Sequence, residues 1–161
     1  FDLVQVHNML DWRTHLPTLA ALKREGRIRY LGITTSHGRR HDELERAMRE
    51  VAFDFVQLTY SVADRDAEPR LLPLARDRGA ADGGDLFDRV RGRALPSWAA
   101  EIDCANWAQL LLKFVVSHPA VTCAIPATSQ AAHLRENVGA LRGRLPDAAM
   151  RKRIAQAAGQ G

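Results

Sequence analysis

The sequence predicts an α/β fold in which parallel strands alternate with helices. Three strand-like runs, each followed by a helical pattern, begin about 26 residues apart, which is typical of strand–helix units joined by right-handed crossovers. The chain has 161 residues, of which 46% are hydrophobic and 26% are charged, so it can form one domain with a sizeable core. This spacing fits either an α/β barrel or an open sheet.

The first half of the chain contains the three repeated units. Each strand is recognised by alternating or β-branched apolar residues, and each helix by apolar residues three and four positions apart. Gly26 ends the first helix, and Asp42 with Glu45 predicts a capping pair at the start of the second. The predicted strands cover residues 2–7, 30–36 and 53–60, and the predicted helices cover residues 14–26, 41–51 and 68–78.

The alternation breaks after Gly79. No run between residues 80 and 103 has the apolar pattern of a buried strand, so we expect one strand to be missing there. The alternation then resumes, and two more helices finish the chain. The predicted elements of this half are a helix over 105–118, a strand over 120–126, and helices over 130–141 and 147–158.

Composition argues against several classes of protein. The net charge of +4 comes from arginines scattered among acids, and the short basic runs lack the interleaved aromatic residues of a nucleic-acid interface. No apolar run is long enough for a membrane span, and no signal peptide is visible. We therefore expect neither a nucleic-acid nor a membrane partner, with the cytoplasm as the default compartment; an export signal upstream would change that compartment.

Cysteine and histidine spacing predicts no metal site and no disulfide. Cys104 and Cys123 are not a close pair and have no ligand cluster around them, so we expect two buried thiols. His37 and His41 lie four residues apart beside Asp42, which is metal-ligand spacing on a helix. A glycine between the two histidines precedes the predicted helix start, and the spacing is therefore not helical.

Polar residues cluster where the predicted strands end. In parallel α/β folds the carboxyl ends of the strands lie at one rim, and ligands bind there. A hydroxyl after the last strand can cap the next helix, whose free N–H groups then favour an anion, although capping alone explains it equally well. The pattern predicts a small-molecule site formed by His7, Thr34, Thr35, Gln57, Tyr60, Thr128 and Ser129.

Four stretches resemble, in order and spacing, the second half of the aldo/keto reductases. They are DLVQVHN from residue 2, RYLGIT from residue 29, DFVQLTYS from residue 54 and AIPATSQAAHLREN from residue 124. The resemblance covers nearly all of the chain and implies an eight-stranded α/β barrel, the TIM barrel, which needs about 250 residues. We therefore expect one partial barrel domain over residues 1–161 that lacks the N-terminal half and the seventh strand.

The resemblance implies that His7 is catalytic. It matches the histidine at the end of the family's fourth strand, where a neutral imidazole hydrogen-bonds the substrate carbonyl and orients it for hydride transfer. The strand pattern alone favours a different interpretation, in which His7 is a hydrogen-bonded core histidine.

The resemblance also implies a nicotinamide cofactor, NADPH or NADH. Gln57 matches a glutamine that holds the nicotinamide carboxamide, and Tyr60 matches an aromatic ring that stacks on the nicotinamide. Interior hydrogen bonding and loop packing, respectively, are the alternatives. Thr34 keeps the hydroxyl of a carboxamide-binding serine, whereas Thr35 stands where the family has an asparagine. The segment that grips the adenosine phosphate and the adenine corresponds to Thr128, Ser129, His133, Glu136 and Asn137.

Several departures from the family pattern limit what this chain can do. Ala127 and His133 stand where lysine and arginine commonly neutralise the 2′-phosphate of NADPH, and Arg135 is the nearby cation that can substitute. The tyrosine that donates the proton, with its lysine and aspartate, belongs to the half of the barrel that has no counterpart here. The resemblance thus implies an oxidoreductase that reduces aldehydes or ketones in the complete protein and is inactive as this chain alone.

Incomplete barrels expose strand edges, which favour aggregation or pairing with another chain. The expected partners are a small-molecule carbonyl substrate and either a complementing N-terminal half or a second copy. Two alternatives stay open. One is a non-catalytic dinucleotide-binding remnant or subunit of a split protein. The other is an unrelated phosphate-binding barrel enzyme, which would need an acid or base besides His7 at a strand end.

Overall fold

Five parallel strands form one open sheet in the computed structural model, which describes residues 1–36, 38–75, 79–82, 90 and 92–159. The strands follow one another in chain order across the sheet. Each adjacent pair is parallel, as connections through helices require. The strands are β1 (Leu3–Val6), β2 (Tyr30–Thr34), β3 (Phe55–Thr59), β4 (Gly79–Asp82) and β5 (Ala124–Ile125).

Helices connect the strands and cover the sheet. Short 3₁₀ segments follow β1, at His7–Met9, and precede the fourth helix, at Ser97–Ile102. The first helix contains Pro17 within its second turn. The helices are α1 (Trp12–Arg24), α2 (His41–Glu50), α3 (Leu71–Ala75), α4 (Trp107–Val116), α5 (Ala131–Gly139) and α6 (Ala148–Ala157).

Strand β3 shows how the two faces of the sheet differ. Val56 and Leu58 are fully buried, while Phe55, Gln57 and Thr59 on the opposite face are half-buried, as the period of two along a strand requires. The buried face packs against the helices in one continuous core. The half-buried face corresponds to the interior of a barrel that these five strands do not close.

The predicted α/β class and partial barrel are confirmed, but the prediction that one strand is missing after Gly79 is wrong. Strand β4 lies between β3 and β5, with Val56 opposite Gly79 and Ala81 opposite Ala124. Its sequence is Gly-Ala-Ala-Asp, without the β-branched or aromatic residues that mark a strand. Pairing on both sides therefore makes this segment a strand against its weak intrinsic propensity.

Several element ends also differ from prediction. Helix α2 begins after Arg40, which has φ 58° and whose side chain accepts no capping hydrogen bond; Asp42 and Glu45 instead pair with Arg70. Strand β5 contains two residues where seven were predicted. Of the helix predicted over 68–78, the structure forms α3, and residues 76–78 lie outside the described part of the chain.

The two cysteines have different environments. Cys104 is buried, as expected, and burial raises the pKa of its thiol. Cys123 is exposed just before β5, so the expectation of two buried thiols is wrong for it. Because β5 contains only two residues, Cys123 lies outside the strand that was expected to bury it.

Candidate active site

The carboxyl ends of the strands meet at one rim, because all five strands are parallel. His7 directly follows β1, Thr34 ends β2, and Gln57 lies in β3 opposite Thr34 in the pairing register. These three residues therefore lie on three successive neighbouring strands. The structure brings them together at the rim as the sequence predicts.

His7 is exposed and contacts its neighbour in the chain. Its Nε2 lies 3.1 Å from Nδ2 of Asn8. His7 also lines a cavity of about 390 Å³ between β1 and α1, together with His15 and Leu10. An exposed imidazole beside a cavity is accessible to a ligand, in contrast to the alternative of a core histidine.

The two threonines at the end of β2 are buried and bonded. The Thr34 hydroxyl accepts a hydrogen bond of 2.8 Å from the backbone N–H of Asn8. The Thr35 hydroxyl donates to the carbonyl of Arg39 at 2.5 Å, and its N–H donates to the carbonyl of Gln57. A hydroxyl that accepts one bond still has its own proton to donate, so Thr34 keeps a donor for a ligand. The bonds of Thr35 serve the loop.

Gln57 faces the open interior side of the sheet. Its side chain is half-buried and makes no hydrogen bond to the described part of the chain. A primary amide carries two donors and one acceptor oxygen. It can therefore pair with a carboxamide, which is the role that the resemblance implies.

Tyr60 occupies a different place from the expected stacking platform. Its side chain has no exposed surface, and its ring lies 5.9 Å from the ring of Phe114 and 5.6 Å from that of His118. The hydroxyl donates to Glu68 at 2.5 Å and accepts from Arg151 at 2.5 Å. Burial, together with the hydrogen bond to Glu68, raises the pKa of Tyr60 far above its ordinary value.

The alternation along β3 explains this correction. Tyr60 follows Val56 and Leu58 at intervals of two and so shares their helix-facing side, whereas Gln57 lies on the other side. No face of the Tyr60 ring is open to a cofactor in this structure. The sequence contained this signal, since residues three apart on a strand point in opposite directions.

The segment after β5 is exposed at the same rim. Thr128 accepts a 3.1 Å bond from the N–H of Gln130, which directly precedes α5 and makes no side-chain cap. The predicted capping of α5 by Thr128 or Ser129 is therefore wrong, because the Thr128 hydroxyl closes a local turn instead. Exposed side chains here are Thr128, Ser129, His133, Arg135 and Glu136, and Asn137 is half-buried.

Helix α5 is tied to α4 through Gln109. The Gln109 side chain donates to the carbonyl of Glu136 at 3.3 Å and accepts from the N–H of Ala105. Buried Lys113, also on α4, donates to the carbonyls of Ile102, Arg142 and Arg144, the last at 2.9 Å. These contacts fix the position of the segment that the resemblance assigns to the adenosine part of the cofactor.

A second cavity, of about 760 Å³, opens beside the starts of α2 and α3. Arginines line it, but Arg40 pairs with Glu43, Arg65 with Glu68, and Arg70 with Asp42.

The sequence predicts that His37, His41 and Asp42 do not bind a metal, and His41 and Asp42 line this second cavity. In the part of the chain that the structure describes, no three histidine, cysteine or acidic side chains are grouped to hold an ion; His37 lies outside that part.

One residue of the rim was assigned no role from the sequence. Asn8 stands in the left-handed backbone region with φ 52°, and it links β1 to β2 and α2 through its backbone. An asparagine directly after a rim histidine is the signal available in the sequence, because asparagine tolerates this backbone region better than most residues.

The model of the aldo/keto reductase family matches residues 1–81 and 90–157. The chain belongs to the aldo/keto reductase family. This assignment confirms the family that the strand-end motifs indicated, and the family consists of oxidoreductases. No curated protein sequence matches the chain significantly.

Solved aldo/keto reductases share the fold. The chain is similar to aldo-keto reductase AKR11C1 from Bacillus halodurans (holo form), with 21% identity and a TM-score of 0.74 over 100% of this chain and 62% of that chain. An aldo/keto reductase from Brucella melitensis has 21% identity and a TM-score of 0.72 over 96% of this chain and 60% of that chain. One from Klebsiella pneumoniae in complex with NADP and acetate has 23% identity and a TM-score of 0.66 over 98% of this chain and 58% of that chain.

The chain spans about three fifths of the length of these aldo/keto reductases. Both outer strands, β1 and β5, have one edge without a neighbour among the described strands. Among the described helices, none combines the length and the apolar character that crossing a membrane requires.

Proposed function

We propose that residues 1–161 form one partial barrel domain of an NAD(P)H-dependent aldo/keto reductase that reduces aldehydes or ketones. In this role His7 donates a hydrogen bond to the substrate carbonyl and orients it. The observation that carries the proposal is the placement of His7, Thr34 and Gln57 on consecutive strands at one rim. Ligands bind at this end of the strands in parallel barrels.

The cofactor would lie across the rim. The Thr34 hydroxyl and the Gln57 amide have donors and acceptors suited to the nicotinamide carboxamide. Reduced nicotinamide supplies the hydride when it is bound. The exposed segment after β5 presents hydroxyls and the start of a nine-residue helix to the phosphates. The residues proposed for this part are Thr128, Ser129, His133, Glu136 and Asn137, with Arg135 as the nearby cation.

NADPH is the first choice of cofactor, with NADH as the alternative. Relatives from Klebsiella pneumoniae are described in complex with NADP and with NADPH. In this chain the exposed Arg135 is the one arginine of α5, and it suits a 2′-phosphate, which an arginine can bind bidentately. The cytoplasm remains our prediction for the compartment.

An exposed apolar stripe on and just after α5 is a surface that a further polypeptide segment can cover. Leu134, Val138 and Leu141 follow helical spacing on and just after α5, yet they are 54%, 49% and 70% exposed. Such a stripe is normally buried, and more than a third of the relative's chain has no counterpart here. We propose that a polypeptide with the three N-terminal strand–helix units covers this stripe and supplies the proton donor.

A titration of NADPH fluorescence tests the cofactor site. We expect saturable binding, and a loss of affinity of about five- to tenfold in Gln57→Ala, since one or two net hydrogen bonds are removed. Gln156→Ala, an exposed glutamine on α6, is the matched control and leaves the affinity unchanged. Absence of binding at millimolar cofactor, or equal affinity in Gln57→Ala, would count against the proposal.

The second candidate is a dinucleotide-binding subunit without chemistry. The observation that favours it is that Thr34 and Gln57 offer polar groups to a nicotinamide at the rim, whereas the Tyr60 hydroxyl is buried and bonded to Glu68 and Arg151 and so offers no proton to a substrate. Saturable NADPH binding with no turnover in any completed assembly would support this candidate. Turnover that depends on His7 would exclude it.

A further inference from the structure

Helix α5 buries none of its own side chains. Its nine residues are exposed or half-buried along their whole length, and its large apolar side chains, Leu134 and Val138, are 54% and 49% exposed. A surface helix in a folded chain normally keeps its position by burying an apolar face. Contacts of another kind therefore hold α5 in place in this structure.

A buried lysine supplies contacts of this kind. Lys113 of α4 has no exposed surface. Its ammonium donates to the carbonyl of Ile102, before α4, and to the carbonyls of Arg142 at 2.5 Å and Arg144 at 2.9 Å, after α5. An ammonium has three protons and no acceptor, so each of its donors has a partner, as a buried charge requires. Lys113 thus fastens the connection between α5 and α6 to α4.

Gly143 allows this connection to pass close to its neighbours. It lies between the two bonded carbonyls and has φ 70°. A Cβ atom at this position would lie 1.9 Å from Oδ2 and 2.7 Å from Cβ of Asp103. Because the clash includes the base of the Asp103 side chain, rotation of that side chain does not relieve it. Glycine therefore lets the connection run against Asp103 while both flanking carbonyls reach Lys113.

We propose that Lys113 is a positioning residue for the adenosine end of the cofactor. It acts through α5, which carries the adenosine-binding residues proposed within 133–137, rather than on the cofactor itself. The nicotinamide end is proposed to bind Thr34 and Gln57, which belong to β2 and β3. Lys113 therefore controls one end of the dinucleotide. This consequence for the cofactor rests on the proposed function, whereas the attachment of α5 does not.

A general contribution to stability is the competing explanation for Lys113. Two substitutions disturb the attachment in different ways. Lys113→Met keeps a long side chain but leaves three carbonyls without their donor, and Gly143→Ala prevents the close approach without removing a charge. Gly26→Ala is the matched control. Gly26 has φ 71° and no described atom within 4 Å of a Cβ atom there, so alanine meets the same backbone strain without a clash.

Hydrogen exchange of the full chain without ligand, followed by mass spectrometry, tests the attachment. In Lys113→Met and Gly143→Ala we expect faster exchange in α5 and in its connection to α6, while β1, β2 and β3 keep wild-type rates. Gly26→Ala should leave α5 unchanged. An unchanged α5 in Lys113→Met, or exchange that accelerates equally in the strands, would overturn the proposal. If Lys113→Met does not fold, the same two outcomes in Gly143→Ala decide it.

Displacement of bound NADPH by adenosine 2′,5′-bisphosphate, the adenosine half of NADPH, tests the positioning role. We expect the bisphosphate to bind folded Lys113→Met and Gly143→Ala about five- to tenfold more weakly than wild type, because one or two net contacts are lost. Gly26→Ala should bind it like wild type. Unchanged affinity in both attachment variants, or no displacement from wild type at millimolar bisphosphate, would overturn the positioning role. Absence of NADPH binding by wild type would overturn the proposed function and this role together, while hydrogen exchange still decides the attachment of α5.

Discussion

At the residue scale, Tyr60 is bound on both its ring and its hydroxyl. Phe114 and His118 contact the ring, while Glu68 and Arg151 bond the oxygen. Arg151 also donates to the Ser117 hydroxyl at 3.0 Å. The tyrosine thus joins the loop after β3 to α4 and α6, and its resemblance to a stacking ring did not reveal this role.

Tyr60→Phe tests the structural role of the hydroxyl. We expect a loss of about 1–2 kcal/mol in the free energy of unfolding, because Glu68 and Arg151 lose a buried partner. Denaturant unfolding measures this loss. Tyr30→Phe is the matched control, since Tyr30 is 38% exposed. A tyrosine that served only for stacking would lose no stability, because phenylalanine keeps the ring; equal stability would therefore contradict our account.

At the element scale, α6 is attached to the segment between β3 and α3 by an ion pair that depends on pH. Arg151 of α6 lies 3.3 Å from Glu68, and Arg65 bonds the other oxygen of Glu68. Burial raises the pKa of Glu68, but the hydrogen bonds from Arg65 and Tyr60 outweigh burial and lower the pKa below its usual value. The charged form of Glu68 therefore stabilises the folded chain.

The sign of the pH dependence follows from this lowered pKa. The stabilisation by charged Glu68 is fully present above the unfolded-state pKa of about 4.3. It is lost as pH falls through the lower folded-state pKa. We expect Glu68→Gln to be less stable than wild type near neutral pH, and the difference to shrink below about pH 4. Unfolding curves across this range measure it. A constant difference would contradict the account; Glu25→Gln, on an exposed side chain, is the control.

The elements differ in how far the sequence predicted them. Alternating apolar residues predicted β3, and apolar residues at helical spacing predicted α4, because each of these elements buries one apolar face. Strand β4 was not predicted, since Gly-Ala-Ala-Asp carries little strand propensity and depends on its neighbours. At the site, strand ends located His7 and Gln57, whereas the hydrogen bonds of Asn8 and Tyr60 depend on residues distant in sequence.

At the scale of the whole molecule, the described strands form an open sheet with β1 and β5 at its edges. Unpaired strand edges and an exposed apolar stripe both favour association. The stripe on and after α5 is exposed among the described residues, and about two fifths of each relative's chain lies outside the matched part. We expect a complementing polypeptide and a second copy of the chain to compete for this surface.

Leu134→Lys with Leu141→Lys tests whether this stripe is the surface for both kinds of association. We expect the double variant to self-associate less than wild type in sedimentation velocity, because two lysines interrupt the stripe. It should also fail to bind a polypeptide that carries the three N-terminal units. Gln156→Lys, at an exposed polar position, is the control for added charge. Complementation that survives the double substitution would show that α5 is not the docking surface.

The most direct test of the central claim is aldehyde-dependent oxidation of NADPH. It is measured for the chain alone, for the chain with the three N-terminal units supplied as a separate polypeptide, and for the same assembly with His7→Ala. We predict no turnover for the chain alone and turnover for the complete assembly. The His7→Ala substitution should reduce kcat by about 10²–10⁴-fold. Turnover by the chain alone, or an assembly equally active with His7→Ala, would contradict the account.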